Sequence, residues 1–234
     1  MLVVKKKILI ISAVVLAVLI GVSVTAAVSG NAVSRSTPLG YTVAIDAGHG
    51  GIDAGVSGVN TSVKESELNL QIAQRLKAYF KMAGVDVVMT RNNSNGLYGL
   101  STKNFKMRDM KERERIISEA NPDLLVSLHQ NFFSQSKQRG AQVFYKPGSE
   151  ASEKLAGDVR RRLSQIEHCD RILLAGDYYV LNTCSKPAIL IECGFLSNSE
   201  DEALLITPDY QEKLAYYIFL GSMNFLGAEL PFFD

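Results

Sequence analysis

Tryptophan is absent from the sequence, cysteine and histidine occur three times each, and neither sign of charge is in excess. Each shortage removes a class of protein. The cysteines, at 169, 184 and 193, are too few for a disulfide-stapled mini-protein and show no Cys-x2-Cys zinc spacing. As an odd set they leave at least one thiol unpaired within the chain, and three ordinary buried thiols are expected in preference to a Cys169–Cys184 bridge. Lys and Arg number 25 against 24 Asp and Glu, a net charge of +1, so the basic excess of a nucleic-acid-binding domain is missing.

Apolar residues, by contrast, make up 47% of the chain, which excludes global disorder. Much of the surplus sits in one run. Ile8 to Val28 carries no charge over 21 residues. As a helix it would reach roughly 31 Å, the thickness of a bilayer core. Lys5, Lys6 and Lys7 precede it and should stay on the cytoplasmic side, sending everything from Ser29 onward across the membrane. The run exceeds the usual apolar stretch of a secretory signal, which favours a retained anchor, although small residues at Ala27 and Ser29 offer a cleavage site. Residues 1–28 therefore read as signal peptide or membrane anchor and 29–40 as a polar linker. The remaining ~200 residues suffice for one domain and not for two comfortable ones. They divide into a catalytic domain, 41–226, and a tail, 227–234.

From Tyr41 onward short apolar runs alternate with longer amphipathic stretches, the pattern of an α/β fold: a single domain with a twisted, mostly parallel sheet flanked by helices. Strands are expected at Tyr41–Ala47, Val85–Thr90, Leu124–His129, Ala141–Tyr145, Tyr178–Asn182 and Ala188–Ile191. Helices are expected at Glu67–Met82, Met107–Ala120, Ala151–Gln165 and Tyr210–Phe225. The long polar loop Asn92–Lys106 is a candidate cover for a site.

Two of the three histidines, His49 and His129, each follow an apolar strand, and in open α/β sheets the functional crevice lies beyond the carboxyl ends of strands. Imidazole is the commonest metal ligand, so this shared placement points to a metal site. Around His49 the run Asp46-Ala47-Gly48-His49-Gly50-Gly51 allows sharp turning and close approach, yet lacks the Gly-Lys-Ser/Thr ending of a phosphate-binding loop. A catalytic zinc would take a carboxylate as third ligand, and Glu65 and Glu67 are both candidates, between which position alone does not choose. Acids in a first helical turn also simply stabilise the helix dipole. Glu192 ends the apolar run Ala188-Ile189-Leu190-Ile191, where burial should raise its pKa toward that of a general base. Together these residues support metal-assisted hydrolysis.

Four segments carry a resemblance: Val43 through Gly51, Lys64-Glu65 with Leu68-Asn69-Leu70, Ser127-Leu128-His129-Gln130-Asn131, and Ile191-Glu192-Cys193-Gly194-Phe195-Leu196-Ser197-Asn198. They resemble the zinc-dependent N-acetylmuramoyl-L-alanine amidases of the amidase-3 type, over Tyr41 to about Phe225. The resemblance implies one zinc ion held by His49, Glu65 and His129, with Glu192 as catalytic acid/base. It also implies cleavage of the amide joining N-acetylmuramic acid to L-alanine in peptidoglycan. Gln130 departs from the small or apolar residue usual after the second histidine, which bears on substrate fit more than on metal binding. Met89-Thr90-Arg91, Gly140 through Tyr145 and Lys186 through Leu190 look like the germination-specific amidases of spore formers. That branch implies action on spore cortex, a regulatory lipoprotein partner, and coupling to a deacetylase that then forms muramic δ-lactam. The ten residues Phe132–Ala141 leave no room for the inserted inhibitory helix of some cell-division amidases. A zinc peptidase cutting within the stem peptide and a catalytically silent wall-binding protein are the competing readings.

Overall fold

In the strand Thr42–Ala47 (β1), Val43, Ile45 and Ala47 enter one apolar cluster and Ala44 another, so the strand is buried on both faces, as its unbroken apolar run requires. A computed structural model describes residues 39–135 and 137–228 of the chain. The apolar segment 1–28 lies outside the described residues, as do most of the linker and of the tail. Among the described residues no helix is long and apolar enough to cross a membrane.

The elements that follow β1 are α1 (Glu65–Met82), β2 (Asp86–Met89), α2 (Phe105–Ala120), β3 (Leu124–Asn131), β4 (Gln142–Tyr145), α3 (Glu150–Leu163), β5 (Leu174–Ala175), α4 (Tyr179–Asn182), β6 (Ala188–Phe195), α5 (Ser199–Leu205) and α6 (Pro208–Leu226). They build a single α/β domain around a six-stranded mixed sheet in the order β2-β1-β3-β6-β4-β5. β4 runs antiparallel to β6 and every other neighbouring pair is parallel, so the expected mostly parallel sheet carries one reversed joint. The chain leaves β1 toward β2 on one side and returns as β3 on the other. The crevice beyond the carboxyl ends of β1 and β3 is therefore the switch point at which such sheets bind ligands.

One face of the sheet is covered by α1, α3 and α6. Leu68, Ile72, Leu76 and Phe80 recur at intervals of four along α1 and are fully buried, and Phe80 meets Phe219 of α6 edge-on at 5.3 Å. A Cβ on Gly221 would lie 2.4 Å from the Val159 Cα, so glycine is what lets α6 sit against α3. The other face is covered only in part. Ile117 of α2 and Val180 and Leu181 of α4 pack there with Ala44, Leu125, Ala188 and Leu190. All three cysteines are buried thiols without a bridge.

The segment Tyr178–Asn182 is a single helical turn, not the expected strand. Its β-prone residues suggest extension, but Val180 and Leu181 are adjacent and both buried in one cluster, which the alternation of a strand forbids. α1 begins at Glu65, two residues before its expected start, and β3 and β6 run on through Asn131 and Phe195, so that His129 and Glu192 lie within strands. Two short elements were not expected: the two-residue edge strand β5, and α5, whose N-cap Asn198 accepts from the backbone N–H groups of Glu200 and Asp201.

Candidate metal centre and active site

β1 delivers His49 through a tight turn. His49 has φ +62°, and a Cβ on Gly48 would fall 2.3 Å from the His129 ring, so residue 48 must be bare for the two histidines to approach. The turn is gripped from below by two buried arginines. Arg113 of α2 donates to the carbonyl oxygens of Ala47 (2.8 Å) and His49 (2.6 Å), and Arg91 donates to those of Ala47 (2.9 Å), Gly48 (3.0 Å) and Ser66 (2.7 Å). Arg113 is in turn paired with Asp46 (2.5 Å) and Asp109 (2.6 Å). Burial alone would raise the Asp46 carboxyl, but the Arg113 charge, His129 and the Ser127 hydroxyl outweigh it and hold it at about 2.

Glu65 sits at the first turn of α1 and is 2% exposed, whereas Glu67 points to solvent. The structure thus brings the first of the two candidate carboxylates to the histidines. Glu65 Oε1 lies 3.2 Å from His49 Nε2 and 3.0 Å from His129 Nδ1, and the histidine rings meet edge-on at 5.0 Å. The remaining acceptor capacity of Glu65 is satisfied by the backbone N–H groups of Val56 (2.9 Å) and Gln130 (3.1 Å) and by the Asn69 amide (3.3 Å). Burial raises the Glu65 carboxyl, yet hydrogen bonds from His129 and His49 hold it far below the usual range. Burial lowers His49, but Asp53 at 3.0 Å from Nδ1 and Glu65 together push it up to about 9. Gln130 is buried behind this cluster, its amide donating to Asn69 Oδ1 at 3.1 Å. Its backbone N–H holds Glu65 and its side chain reaches Asn69, and Gln130 is not among the residues that line the cavity shared by His49, His129 and Glu192.

Glu192 pairs with His129 across β3 and β6. Its Oε2 is buried and finds no hydrogen-bond partner among the described residues. Burial pushes its carboxyl up to about 7, with Glu65 adding to the rise and the two histidines opposing it. A cavity of about 260 Å³ is lined by His49, His129 and Glu192 together with Asp53, Lys106 and Tyr178. The loop 92–106 borders the His49 turn: Tyr98 accepts from the Ile52 N–H at 2.9 Å, and the Gly51 N–H donates to the Ser94 carbonyl at 2.7 Å.

The donor set suits a divalent cation. His49, Glu65 and His129 each offer one ligand atom, and these atoms lie within 4.8 Å of one another. Two imidazoles and a carboxylate are the donor types of catalytic zinc sites. The unpartnered Glu192 oxygen and the room beside it leave space for water and substrate.

A family profile described as N-acetylmuramoyl-L-alanine amidase, Amidase_3, matches residues 43–222. The chain belongs to this amidase family. Among its amidase relatives is the germination-specific N-acetylmuramoyl-L-alanine amidase of Bacillus subtilis, 33% identical over 81% of this chain and 82% of the relative. The CwlD amidase of Clostridioides difficile, solved in complex with the GerS lipoprotein, superposes with a TM-score of 0.77 at 35% identity, covering 81% of this chain and all of that one. The catalytic domain of the amidase CwlV from Bacillus (Paenibacillus) polymyxa superposes at 0.71 with 28% identity, covering 81% and 99%.

The supports of the candidate site carry little local signal in the sequence. Asp53 lies four residues after His49, just beyond the run Gly48-His49-Gly50-Gly51, and nothing in its neighbourhood marks it as a partner of the imidazole. Asp46 and Arg113 are 67 positions apart, and one Arg among the three of a highly charged helix carries no local sign that it is buried.

Proposed function

We propose that this amidase acts outside the cytoplasmic membrane on peptidoglycan, hydrolysing the bond between N-acetylmuramic acid and L-alanine. One zinc ion would be held by His49, Glu65 and His129. The observation that carries the reading is the buried, unpartnered Oε2 of Glu192, a residue that lines the same cavity as both histidines. When bound, zinc supplies Lewis acidity toward a water and the scissile carbonyl. The protein does the rest. Glu192, kept near neutrality in pKa by its burial, accepts the proton of the attacking water and returns it to the leaving nitrogen of L-alanine. Asp53 orients the His49 ring through Nδ1, and Glu65 is fixed by two backbone N–H groups, so neither ligand has to reorganise. Lys106 and Tyr178 line the same cavity.

The biological setting follows the relatives. The likeness to a germination-specific amidase supports spore cortex as the substrate, with peptide removal preparing muramic acid for a deacetylase and δ-lactam formation. The GerS complex of the C. difficile neighbour supports a lipoprotein partner. The apolar run 1–28 would serve as signal or anchor, 29–40 as linker, 41–226 as the catalytic domain and 227–234 as a tail. Digestion of cortex muropeptides by the zinc-loaded protein should release stem peptides that begin with L-alanine and leave muramic acid with a free lactyl carboxylate. Products in which every muramic acid retains L-alanine would establish a peptidase instead.

A further inference from the structure

A second hollow, of about 230 Å³, opens beyond the first, and its walls include Asn131, Gln142, Phe144, Arg171, Leu174 and Phe195. Asn131 and Phe195 pair across β3 and β6 just past the His129–Glu192 pair, and Gln142 faces Glu192 across the antiparallel joint of β4 and β6. Phe144 of this hollow touches Tyr178 of the first, ring to ring, at 5.2 Å. The two hollows therefore adjoin, with the second displaced toward β4 and β5, beyond the reach of α2.

Among the described residues lining the second hollow, Arg171 alone is charged. Its Nε donates to Gln142 Oε1 at 2.8 Å and its Nη1 to Gln138 Oε1 at 2.9 Å and the Arg139 carbonyl at 3.3 Å, while the guanidinium lies over the Phe195 ring at 5.0 Å. Every one of these holders is neutral. Arg113, by comparison, pairs with two aspartates, and Arg139 pairs with Glu200 and Asp201. Gln142 is itself buried and also donates to the Ile172 carbonyl, so it fixes both the Arg171 side chain and the backbone that follows. Nη2 has no protein partner among the described residues. A half-buried guanidinium held by neutral amides on an aromatic face, with one nitrogen free, is built to meet an anion from outside.

We infer that this hollow is a carboxylate subsite for the stem peptide, in which Arg171 binds the acidic residue that follows L-alanine. The inference rests on the amidase reading above. The chemistry of the substrate selects the occupant: on the glycan side of the scissile bond the lactyl carboxyl is consumed in the amide, whereas the peptide side carries free carboxylates. The cross-strand spacing between Gln142 and Glu192 puts the guanidinium on the order of 10 Å from the Glu192 carboxylate. Two or three residues of extended peptide span that distance.

The test uses the full chain loaded with zinc and two probes, N-acetylmuramoyl-L-alanyl-D-glutamate and its diamide. The wild type is expected to show a kcat/KM about 10-fold or more higher on the acid, carried by KM. Arg171→Gln, which keeps neutral hydrogen bonding, should bring the two probes within about 2-fold by losing the preference for the acid, and Arg171→Lys should recover part of it. Equal values for the two probes in the wild type, or a loss in Arg171→Gln that falls equally on both, overturns the subsite. Calorimetric binding of the same probes to the Glu192→Gln protein, with and without Arg171→Gln, makes the comparison without turnover. An acid preference that vanishes with Arg171 supports the subsite, and no preference overturns it. A wild type that binds the acid but cleaves neither probe supports the subsite while overturning the amidase reading.

Discussion

In the proposed reaction Glu192 combines two features, a carboxyl whose pKa lies near neutrality and a position at the end of an apolar run. Its Oε2 has no hydrogen-bond partner among the described residues, so the cost of burial is left uncompensated there and appears as the raised pKa. Glu192→Gln should therefore lower kcat by about 10²- to 10⁴-fold while zinc content by elemental analysis stays at the wild-type level. The same substitution should stabilise the metal-free chain, with a definite dependence on pH. The folded pKa is raised from 4.5 to about 7, so the wild type loses stability as pH rises through that window, by about 3 kcal/mol in all. Denaturant unfolding at pH 8 should find Glu192→Gln the more stable protein, and the gain should fade toward pH 4. A difference that is flat with pH would mean that the carboxyl titrates in its ordinary range.

The elements that bring the donors together were legible where the signal was local. His49, His129 and Glu192 each close an apolar run, and the sheet places the ends of those runs side by side because β1, β3 and β6 are consecutive neighbours. Between Glu65 and Glu67 only the orientation of the first turn of α1 decides, since it turns the first inward and leaves the second outside. The turn at Tyr179–Asn182 was illegible for the opposite reason, because β-prone side chains there are overruled by tertiary burial. Arg113 belongs to the same class. Its partners Asp46 and the Ala47 and His49 carbonyls are remote in sequence, and only the packing of α2 on β1 unites them. Arg113→Lys keeps the charge but not the fork, and so cannot hold two carboxylates and two carbonyls together. It should weaken zinc binding by about 10- to 100-fold, measured by competition with a chromogenic chelator, with far-UV circular dichroism unchanged. Zinc affinity equal to the wild type's would show that the His49 turn stands without that grip.

At the scale of the whole molecule the donors come from three separate stretches of chain, so a bound ion joins β1, α1 and β3. Zinc that binds the folded chain and not the unfolded one should stabilise it by about 4 kcal/mol at a free concentration a thousand times Kd. Thermal unfolding with and without a chelator reads this directly, and His49→Ala should abolish the difference. A chelator that leaves Tm unchanged would exclude the three-donor site. The partial helix cover on one side of the sheet has its own molecular meaning: the first hollow is walled in part by α2 and α4, and the second lies past them, with no residue of either helix in its lining.

The contact between the bare Gly48 and the His129 ring couples chemistry to folding accuracy. Side chains alternate along a strand, so a slip of one residue between β1 and β3 would turn His129 to the opposite face, among the apolar residues packed against α1. A chain in that register keeps every ligand in its sequence and has no three-donor set. If zinc binds this three-donor set as proposed, its tight capture by a chain distinguishes correctly paired molecules from misregistered ones before any substrate is offered.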